Sequence, residues 1–271
     1  MSLAARFVAR FVAVVAVVAF SNLVLLGCSS DPPEPDPTSN ATTNTGTPGG
    51  TASPTATPRT RLPPDAAPTR DDVLRAGTAV TSGPVTVVAL VDGTAVEQAD
   101  GSARLALPAG AGEVVATLAA PDGLAIDALI DDTALVRADE GAQPPVAGIR
   151  LTGNGRLVPV GDVVQVVGSA EPQELWLATT AVESADWGER EGGRSLAVSP
   201  AAWARGGGSA ASTLLGEQLV ALEPEAASDT MQQQLTCHEV GAPDKETWNL
   251  EPWRPAVGLL AMAAARCNPE P

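Results

Sequence analysis

The side chains best suited to chemistry are concentrated in one short stretch near the C-terminus. The stretch contains the only histidine, the only lysine and two of the five tryptophans of the chain. An indole face can stack on a sugar ring, and charged groups beside it can bind hydroxyls or an anion. The stretch is therefore a candidate binding surface, with these members: His238, Lys245, Trp248, Glu251, Trp253 and Arg254.

A structural interpretation of the same stretch competes with binding, and we favour it. Glu251 and Arg254 each precede a proline, and the residue before a proline is pushed towards extended conformations. Residues 249–255 are therefore predicted to form a stiff, non-helical segment. In this interpretation Trp248 and Trp253 are buried anchors, and the two charged side chains pair with the backbone or with each other.

The sequence contains no complete catalytic motif, so no catalytic residue and no cofactor are assigned. A serine or cysteine mechanism would have to use His238, but its neighbour Cys237 is expected to be oxidised. Ser209 lacks the second glycine of a nucleophile elbow and is expected to be a surface residue in a loop. Cys237, His238 and Cys267 make a poor zinc site, because no further cysteine or histidine lies near them.

Five acidic residues form a cluster that invites comparison with calcium sites and with paired catalytic carboxylates. Their spacing lacks the regularity of a calcium-binding loop, so a solvated acidic face is the preferred interpretation. Glycoside hydrolysis can nevertheless draw its two carboxylates from anywhere in a chain. An envelope glycan hydrolase that uses Glu251 or this cluster is therefore kept as the alternative function, although the weight lies against an enzyme. The cluster comprises Asp127, Asp131, Asp132, Asp139 and Glu140.

The N-terminus has the layout of a signal peptide. Arg6 and Arg10 precede an apolar run over residues 11–26, and Gly27 and Cys28 follow. Residues 25–28 (LLGC) resemble the bacterial lipobox, in which the cysteine is acylated. We therefore predict a signal peptide over residues 1–27 and lipid, including palmitate, on Cys28, which anchors the protein to the extracytoplasmic face of the cell membrane. An uncleaved anchor is a weaker alternative, because the run is short for a hydrocarbon core of about 30 Å, and ordinary secretion is the other.

Residues 28–70 are predicted to be the lipidated cysteine and a disordered linker. Residues 29–70 hold ten of the 24 prolines, among many threonines, serines and glycines. The whole chain has 32 acidic and 16 basic residues and a net charge of −16, which excludes nucleic acid as a partner. Arginine in place of lysine, with abundant Ala, Gly, Val and Pro, is the bias of a GC-rich genome and fits an actinobacterium.

The rest of the chain is predicted to be α+β. Its first part, residues 71–182, is β-rich, because short Val- and Leu-rich segments alternate with Gly, Pro and Asp-Gly turns. Such spacing indicates an antiparallel meander or a small sandwich. The predicted strands are residues 85–91, 103–107, 113–118, 157–160, 163–167 and 174–179.

The second part, residues 183–271, is predicted to contain two or three helices and a disulfide. Apolar spacing indicates a helix over residues 209–222 and a short turn of helix around Met231 and Leu235. A terminal helix is predicted to begin near Pro255, with one apolar face made of Val257, Leu260, Ala264 and Cys267. Apart from Cys28, the only cysteines are Cys237 and Cys267, which are predicted to pair in an exported protein.

Four strings in this second part carry a family resemblance. They are Trp187-Gly188, residues 196–203 (LAVSPAAW), residues 248–255 (WNLEPWRP) and the terminal Cys267-Asn268-Pro269. Together they resemble an uncharacterised family of actinobacterial secreted proteins, the domain of unknown function 2599. The resemblance implies export and paired cysteines and brings no known activity. The expected function is that of a membrane-tethered envelope lipoprotein whose non-catalytic domain binds a protein or glycan partner.

Overall fold

The computed structural model describes residues 67–140 and 143–270, which all belong to one compact unit. The predicted signal peptide, Cys28 and most of the predicted linker lie outside the described residues. The first described element is a short helix, α1 (Arg70–Ala76), whose start is fixed by a capping box between Thr69 and Asp72. None of the described helices is long and apolar enough to cross a membrane.

Two antiparallel sheets of the β-rich part pack face to face as a sandwich. The five-stranded sheet contains, in order across the sheet, β1 (Thr78–Ser82), β2 (Val85–Leu90), β5 (Val114–Ala119), β10 (Val163–Val167) and β9 (Arg156–Val160). The six-stranded sheet contains, in order, β3 (Ala95–Glu97), β4 (Ala103–Leu107), β11 (Gln173–Ala178), β8 (Ala147–Leu151), β7 (Ala134–Ala138) and β6 (Leu124–Ala128). The predicted antiparallel, β-rich first part is therefore confirmed.

The core of the sandwich is made of aliphatic side chains. Every second residue of β2 is buried, starting with Val85, because successive side chains of a strand point to opposite faces. Leu105, Leu118, Ile149 and Leu175 are fully buried in one cluster that draws on both sheets. Burial of each such side chain contributes about 1.5–3 kcal/mol. Valine, leucine and alanine thus form nearly all of this core.

The C-terminal part is a small sheet with helices. Its three-stranded sheet contains, in order, β12 (Val182–Arg190), β13 (Gly193–Pro200) and β14 (Trp248–Leu250). The helices are α2 (Ala202–Arg205), α3 (Ser209–Leu222), a 3₁₀ helix (Pro224–Ala227), α4 (Asp229–Gly241) and α5 (Leu259–Ala264). The described structure is mostly β, so the predicted α+β class holds only loosely.

The six-stranded sheet presents a second apolar face, on which the C-terminal part packs. In β11, Leu175 and Leu177 enter the sandwich core, whereas Trp176 belongs to the core of the C-terminal part. The buried indole of Trp203 lies directly on Gly148, where an added methyl carbon would lie 2.2 Å from the ring. The two predicted parts therefore share an interface that depends on close backbone approach.

The terminal helix departs most from its prediction. It begins at Leu259, because Gly258 adopts a left-handed φ of 81° and its N–H donates to the side chain of Gln233. This turn sets the orientation of the helix. Val257 and Leu260 are therefore 39% and 91% exposed, and Met262 is the residue of α5 that is buried. The predicted start is wrong, and of the predicted apolar face Cys267 is buried, whereas Val257, Leu260 and Ala264 are not.

Candidate functional site

A cavity of about 500 Å³ lies between the C-terminal half of α4 and helix α5. Ligand pockets typically have about 300–1,000 Å³ and mostly apolar walls with a few placed polar groups, and this cavity fits that description. Its polar lining side chains are those of Thr236, His238, Lys245 and Arg266. The rest of the lining is Cys237, Val240, Gly241, Ala242, Leu259, Ala263 and Cys267.

Helix α5 is fastened to α4 at both ends, and this fixes the width of the cavity. At the start, the Gly258 N–H donates to Gln233 Oε1 at 2.8 Å. At the end, Cys267 forms a disulfide with Cys237, with Cα atoms 5.6 Å apart. The predicted disulfide is therefore confirmed. By closing a loop of 30 residues it stabilises the fold by about 3–4 kcal/mol in the chain-entropy treatment.

Lys245 reaches the rim of the cavity from a turn that Arg205 holds in place. The guanidinium of Arg205 donates to the carbonyl oxygens of Pro243 at 3.1 Å, of Glu246 at 2.6 Å and of Lys245 itself. A planar fork with several donors is suited to gathering backbone carbonyls in this way. The exposed Lys245 side chain therefore extends from a fixed backbone.

His238 contributes a buried imidazole ring to the lining of the cavity. It is 3% exposed, and its Nε2–H donates to the Asn249 carbonyl at 3.1 Å. Its Nδ1 is buried and has no hydrogen-bond partner among the described residues. Burial lowers the pKa of His238, and the charge of Lys245 adds to this effect, although the hydrogen bond to Asn249 opposes it. A neutral ring with a free acceptor at Nδ1 follows.

The rim of the cavity is positively charged. The described lining residues include the cations Lys245 and Arg266 and no carboxylate, in a chain whose net charge is −16. Neither cation forms an ion pair with a described residue. Arg266 and Cys267 both adopt left-handed backbone conformations, with φ of 53° and 68°. Such conformations are costly for residues other than glycine and cluster at functional sites.

The six residues of the predicted binding surface divide into buried and exposed groups. His238, Trp248, Glu251 and Arg254 are each no more than 4% exposed. Lys245 and Trp253 are exposed. The structure therefore does not present these six side chains as one exposed surface, and it supports the structural interpretation of residues 248–255.

Glu251 and Arg254 form a buried ion pair that anchors the turn after β14. Arg254 Nε donates to Glu251 Oε2 at 3.0 Å, and Ser195 Oγ donates to the other carboxylate oxygen at 3.0 Å. Arg254 also donates to the Pro269 carbonyl at 3.0 Å and to the carboxylate of Glu191. This network joins β13, the turn and the C-terminal tail. The predicted stiff segment is thus a strand followed by a turn over residues 252–254.

The two tryptophans of this run have different environments. Trp248 is fully buried, stacks beside His238 with ring centroids 6.4 Å apart, and donates through Nε1–H to the Ala242 carbonyl. Trp253 is 37% exposed, and its Nε1–H donates to the Arg194 carbonyl at 3.2 Å. The guanidinium of Arg254 lies 4.5 Å from the Trp253 ring centre. Both indoles support the backbone, but the predicted burial holds for Trp248 and is wrong for Trp253, because the Trp253 ring lies over Gly193 at the start of β13.

The acidic cluster has mainly structural roles. Asp131 accepts hydrogen bonds from the Ser209 N–H at 2.5 Å and from Thr133 Oγ1 at 2.7 Å. Asp132 accepts one from the Leu157 N–H at 3.2 Å, and Asp127 pairs with Arg137 at 3.3 Å. Within residues 67–140 and 143–270, no group of three or more His, Cys, Asp and Glu is arranged to hold a metal ion.

Ser209 is the first residue of α3 and not part of a loop. The predicted loop position of Ser209 is therefore wrong, because Asp131 caps the N-terminus of that helix.

Burial raises the pKa of Glu239 on α4 to about 7, although Ser212 Oγ donates to its carboxylate at 2.9 Å. Glu239 does not line the cavity between α4 and α5. The sequence predictions missed Glu239. They also missed Arg266 and the apolar residues that line the cavity.

The C-terminal part that builds this cavity is also the part that resembles known proteins. Residues 182–270 match the family model described as "Protein of unknown function (DUF2599)". This match confirms the resemblance that the four sequence strings indicate. The matched range begins with β12 and includes every residue that lines the cavity between α4 and α5.

Two relatives come from mycobacteria. The uncharacterized proteins Rv0477 of Mycobacterium tuberculosis and Mb0487 of Mycobacterium bovis are each 38% identical to this chain over 96 residues, which make up 32% of this chain. The chain spans 65% of the length of these relatives. Their source is consistent with the actinobacterial composition. No solved structure matches the chain.

Proposed function

We propose that this protein is an exported, lipid-anchored and non-catalytic binding protein of the cell envelope. The lipobox-like Cys28 and the preceding apolar run support the anchor. The disulfide suits a protein that matures in an oxidising compartment. The cavity between α4 and α5 supports binding and is the observation that carries the proposal.

The ligand is an amphipathic molecule with an apolar chain and an anionic head. The exposed apolar side chains of Val240, Leu259 and Ala263 suit an acyl chain, and they offer no hydrogen bonds to the hydroxyls of a glycan. Lys245 and Arg266 suit an acidic head, because each is a cation without a carboxylate partner among the described residues. Among envelope partners, a lipid thus fits the cavity better than the glycan or protein expected from the sequence.

The geometry does not support the alternative of a glycan hydrolase. Paired catalytic carboxylates must flank a bond in a cleft, but Glu251 is 3% exposed and already bound to Arg254 and Ser195. Asp131 and Asp132 hold backbone N–H groups. Glu239 has the raised pKa of a general acid, but it does not line the cavity and so could not reach a substrate bound there.

Fluorescence titration with cis-parinaric acid tests the proposal. The chain from residue 28 onward, carrying Cys28→Ser so that no detergent is needed, contains every described element. Ala263→Phe should weaken binding about tenfold or more, because its ring would occupy space that the acyl chain needs, and a loss of about 1.4 kcal/mol corresponds to a factor of ten. Ala264→Phe is the matched control, since Ala264 lies on the same helix outside the cavity lining.

The charged rim is tested with the same probe. Lys245→Ala together with Arg266→Ala should weaken binding of the acid about tenfold and leave binding of its methyl ester almost unchanged. Equal affinity of all variants for the acid, or no binding by the unaltered chain, would contradict the proposal.

A further inference from the structure

A second cavity of about 500 Å³ lies where the sandwich meets the C-terminal part. It shares no lining residue with the cavity between α4 and α5. Its charged lining residues are Arg150 and Arg156 from the sandwich and the neighbouring Asp131 and Asp132. Two glycine-containing turns, residues 153–155 and 206–208, form much of the remaining wall. The cavity is therefore polar and belongs to both parts of the fold.

Arg150 differs from its neighbour Arg104 in having no carboxylate partner among the described residues, although the Nε atoms of both are buried without a hydrogen-bond partner. It lies beside Trp176 across the β8–β11 pair, and Arg104 lies beside the same tryptophan across the β4–β11 pair. The two guanidinium carbons are 4.4 Å and 4.0 Å from the ring centre. Arg104 also pairs with Glu174 at 3.0 Å. Arg150 has no carboxylate partner in the described part of the chain, and its Nε is buried without a hydrogen-bond partner.

An unpaired and partly buried guanidinium is an open anion-binding group. Burial lowers the pKa of Arg150, and the like charge of Arg104 adds to this effect. Removing a cation from water without a paired anion is costly, and a guanidinium fork matches the oxygens of a carboxylate or phosphate. Arg156, which is exposed at the start of β9, supplies a second cation to the same cavity. An external anion would stabilise both.

The two carboxylates of the cavity do not cancel this attraction. Asp131 accepts from the first N–H of α3 and from Thr133, so the positive end of that helix offsets its charge. Asp132 accepts from the Leu157 N–H and adopts a left-handed φ of 60°. A carboxylate has room for about four hydrogen bonds. Both groups can therefore still accept hydrogen bonds from hydroxyls of a ligand.

We propose that this cavity binds a sugar that carries an anionic group. The anion would bind Arg150 and Arg156, and hydroxyls of the sugar would donate to Asp131 and Asp132. The proposal does not rest on the function assigned to the cavity between α4 and α5. Loss of acyl binding there would leave it unaffected.

Gly206→Ala is a sharp test, because it displaces Arg150 without changing the charge of the protein. Gly206 has φ of −67° and ψ of −9°, which alanine adopts freely. A Cβ atom at this position would lie 2.2 Å from the guanidinium carbon of Arg150, the far end of a movable side chain. Gly188→Ala is the matched control, since a Cβ atom there meets nothing within 4 Å.

Calorimetric titration of the full-length protein, purified in a mild detergent, provides the readout. The probes are glucuronate, glucose 6-phosphate and glucose, which separate a carboxylate from a phosphate and both from a neutral sugar. At least one acidic sugar should bind, and its affinity should fall at least about tenfold in Gly206→Ala and in Arg156→Ala. Gly188→Ala and Arg190→Ala, which changes an exposed arginine outside the cavity, should bind as the unaltered protein does.

Three results would overturn the proposal. The first is that neither glucuronate nor glucose 6-phosphate binds at millimolar concentration. The second is that glucose binds as tightly as the acidic sugars. The third is that both Gly206→Ala and Arg156→Ala keep the full affinity for the acidic sugar. Thermal unfolding of each variant shows whether it is folded. Arg156→Ala keeps the test decisive if Gly206→Ala fails to fold, because Arg156 is exposed and no described partner depends on it.

Discussion

Replacing Arg254 with methionine tests whether residues 248–255 determine the fold. The side chains of Arg254 and Glu251 are 2% and 3% exposed, so both charges are removed from water and rely on each other. Without Arg254, the carboxylate of Glu251 keeps only the donor Ser195 Oγ among the described contacts. Breaking a buried pair by removing one partner costs about 3–5 kcal/mol. We therefore expect Arg254→Met to lower the free energy of unfolding by about that amount.

Urea unfolding of the oxidised chain at pH 7, followed by tryptophan fluorescence, measures this change. The double variant Glu251→Gln with Arg254→Met should lose less stability than Arg254→Met alone, because no unpaired charge remains buried. Arg190→Met is the control, and an exposed substitution of this kind should stay within about 0.5 kcal/mol. A loss below about 1 kcal/mol for Arg254→Met, or a double variant that is less stable than the single one, would refute the reasoning.

Three further predictions concern the anchor, the interface between the two parts, and one carboxyl. Cys28→Ser should abolish incorporation of an alkyne-labelled palmitate and move the protein out of the membrane fraction; continued labelling would contradict acylation at Cys28. Gly148→Ala should cost about 1–3 kcal/mol in urea unfolding, because its methyl group would overlap the Trp203 ring, whereas Gly188→Ala should cost far less. Burial raises the folded-state pKa of Glu239 from 4.5 to about 7, so the folded state binds more protons across that interval and stability falls as the pH rises through it. Glu239→Gln should therefore stabilise the protein more at about pH 8, above the folded-state pKa, than at about pH 5, near the lower end of that interval, and equal effects at both pH values would be inconsistent with the raised pKa.

The strands that the sequence revealed are short segments rich in valine and leucine between turn residues. The bounds of β4 and β10 match their predictions, and α3 has the predicted bounds of residues 209–222. Strands β6, β7 and β8 were missed, although Asp127, Arg137 and Arg150 interrupt them no more than Arg104 interrupts β4. Strand β12 was missed because most of its side chains are exposed. Strand β6 pairs with β7, β7 with β8, and β12 with β13, and the pairing that stabilises such strands is not visible in the apolar pattern of either strand alone.

The candidate site was predictable only in part. His238 and Lys245 drew attention because each is the only residue of its type. Val240, Leu259 and Ala263 did not, because an apolar residue in a helical pattern usually indicates core. The exposure of α5 follows from the turn at Gly258, which depends on a hydrogen bond to Gln233. Nothing in the sequence marks Arg150 as a binding residue, because its lack of a carboxylate partner is visible only in the folded structure.

The most direct test of binding between α4 and α5 is a crystal structure of the chain from residue 28, carrying Cys28→Ser and grown with palmitic acid. The proposed function predicts electron density for the acyl chain against Ala263 and Leu259, with the carboxylate near Lys245 and Arg266. A well-ordered structure without fatty acid in this cavity, at saturating palmitic acid, would contradict it.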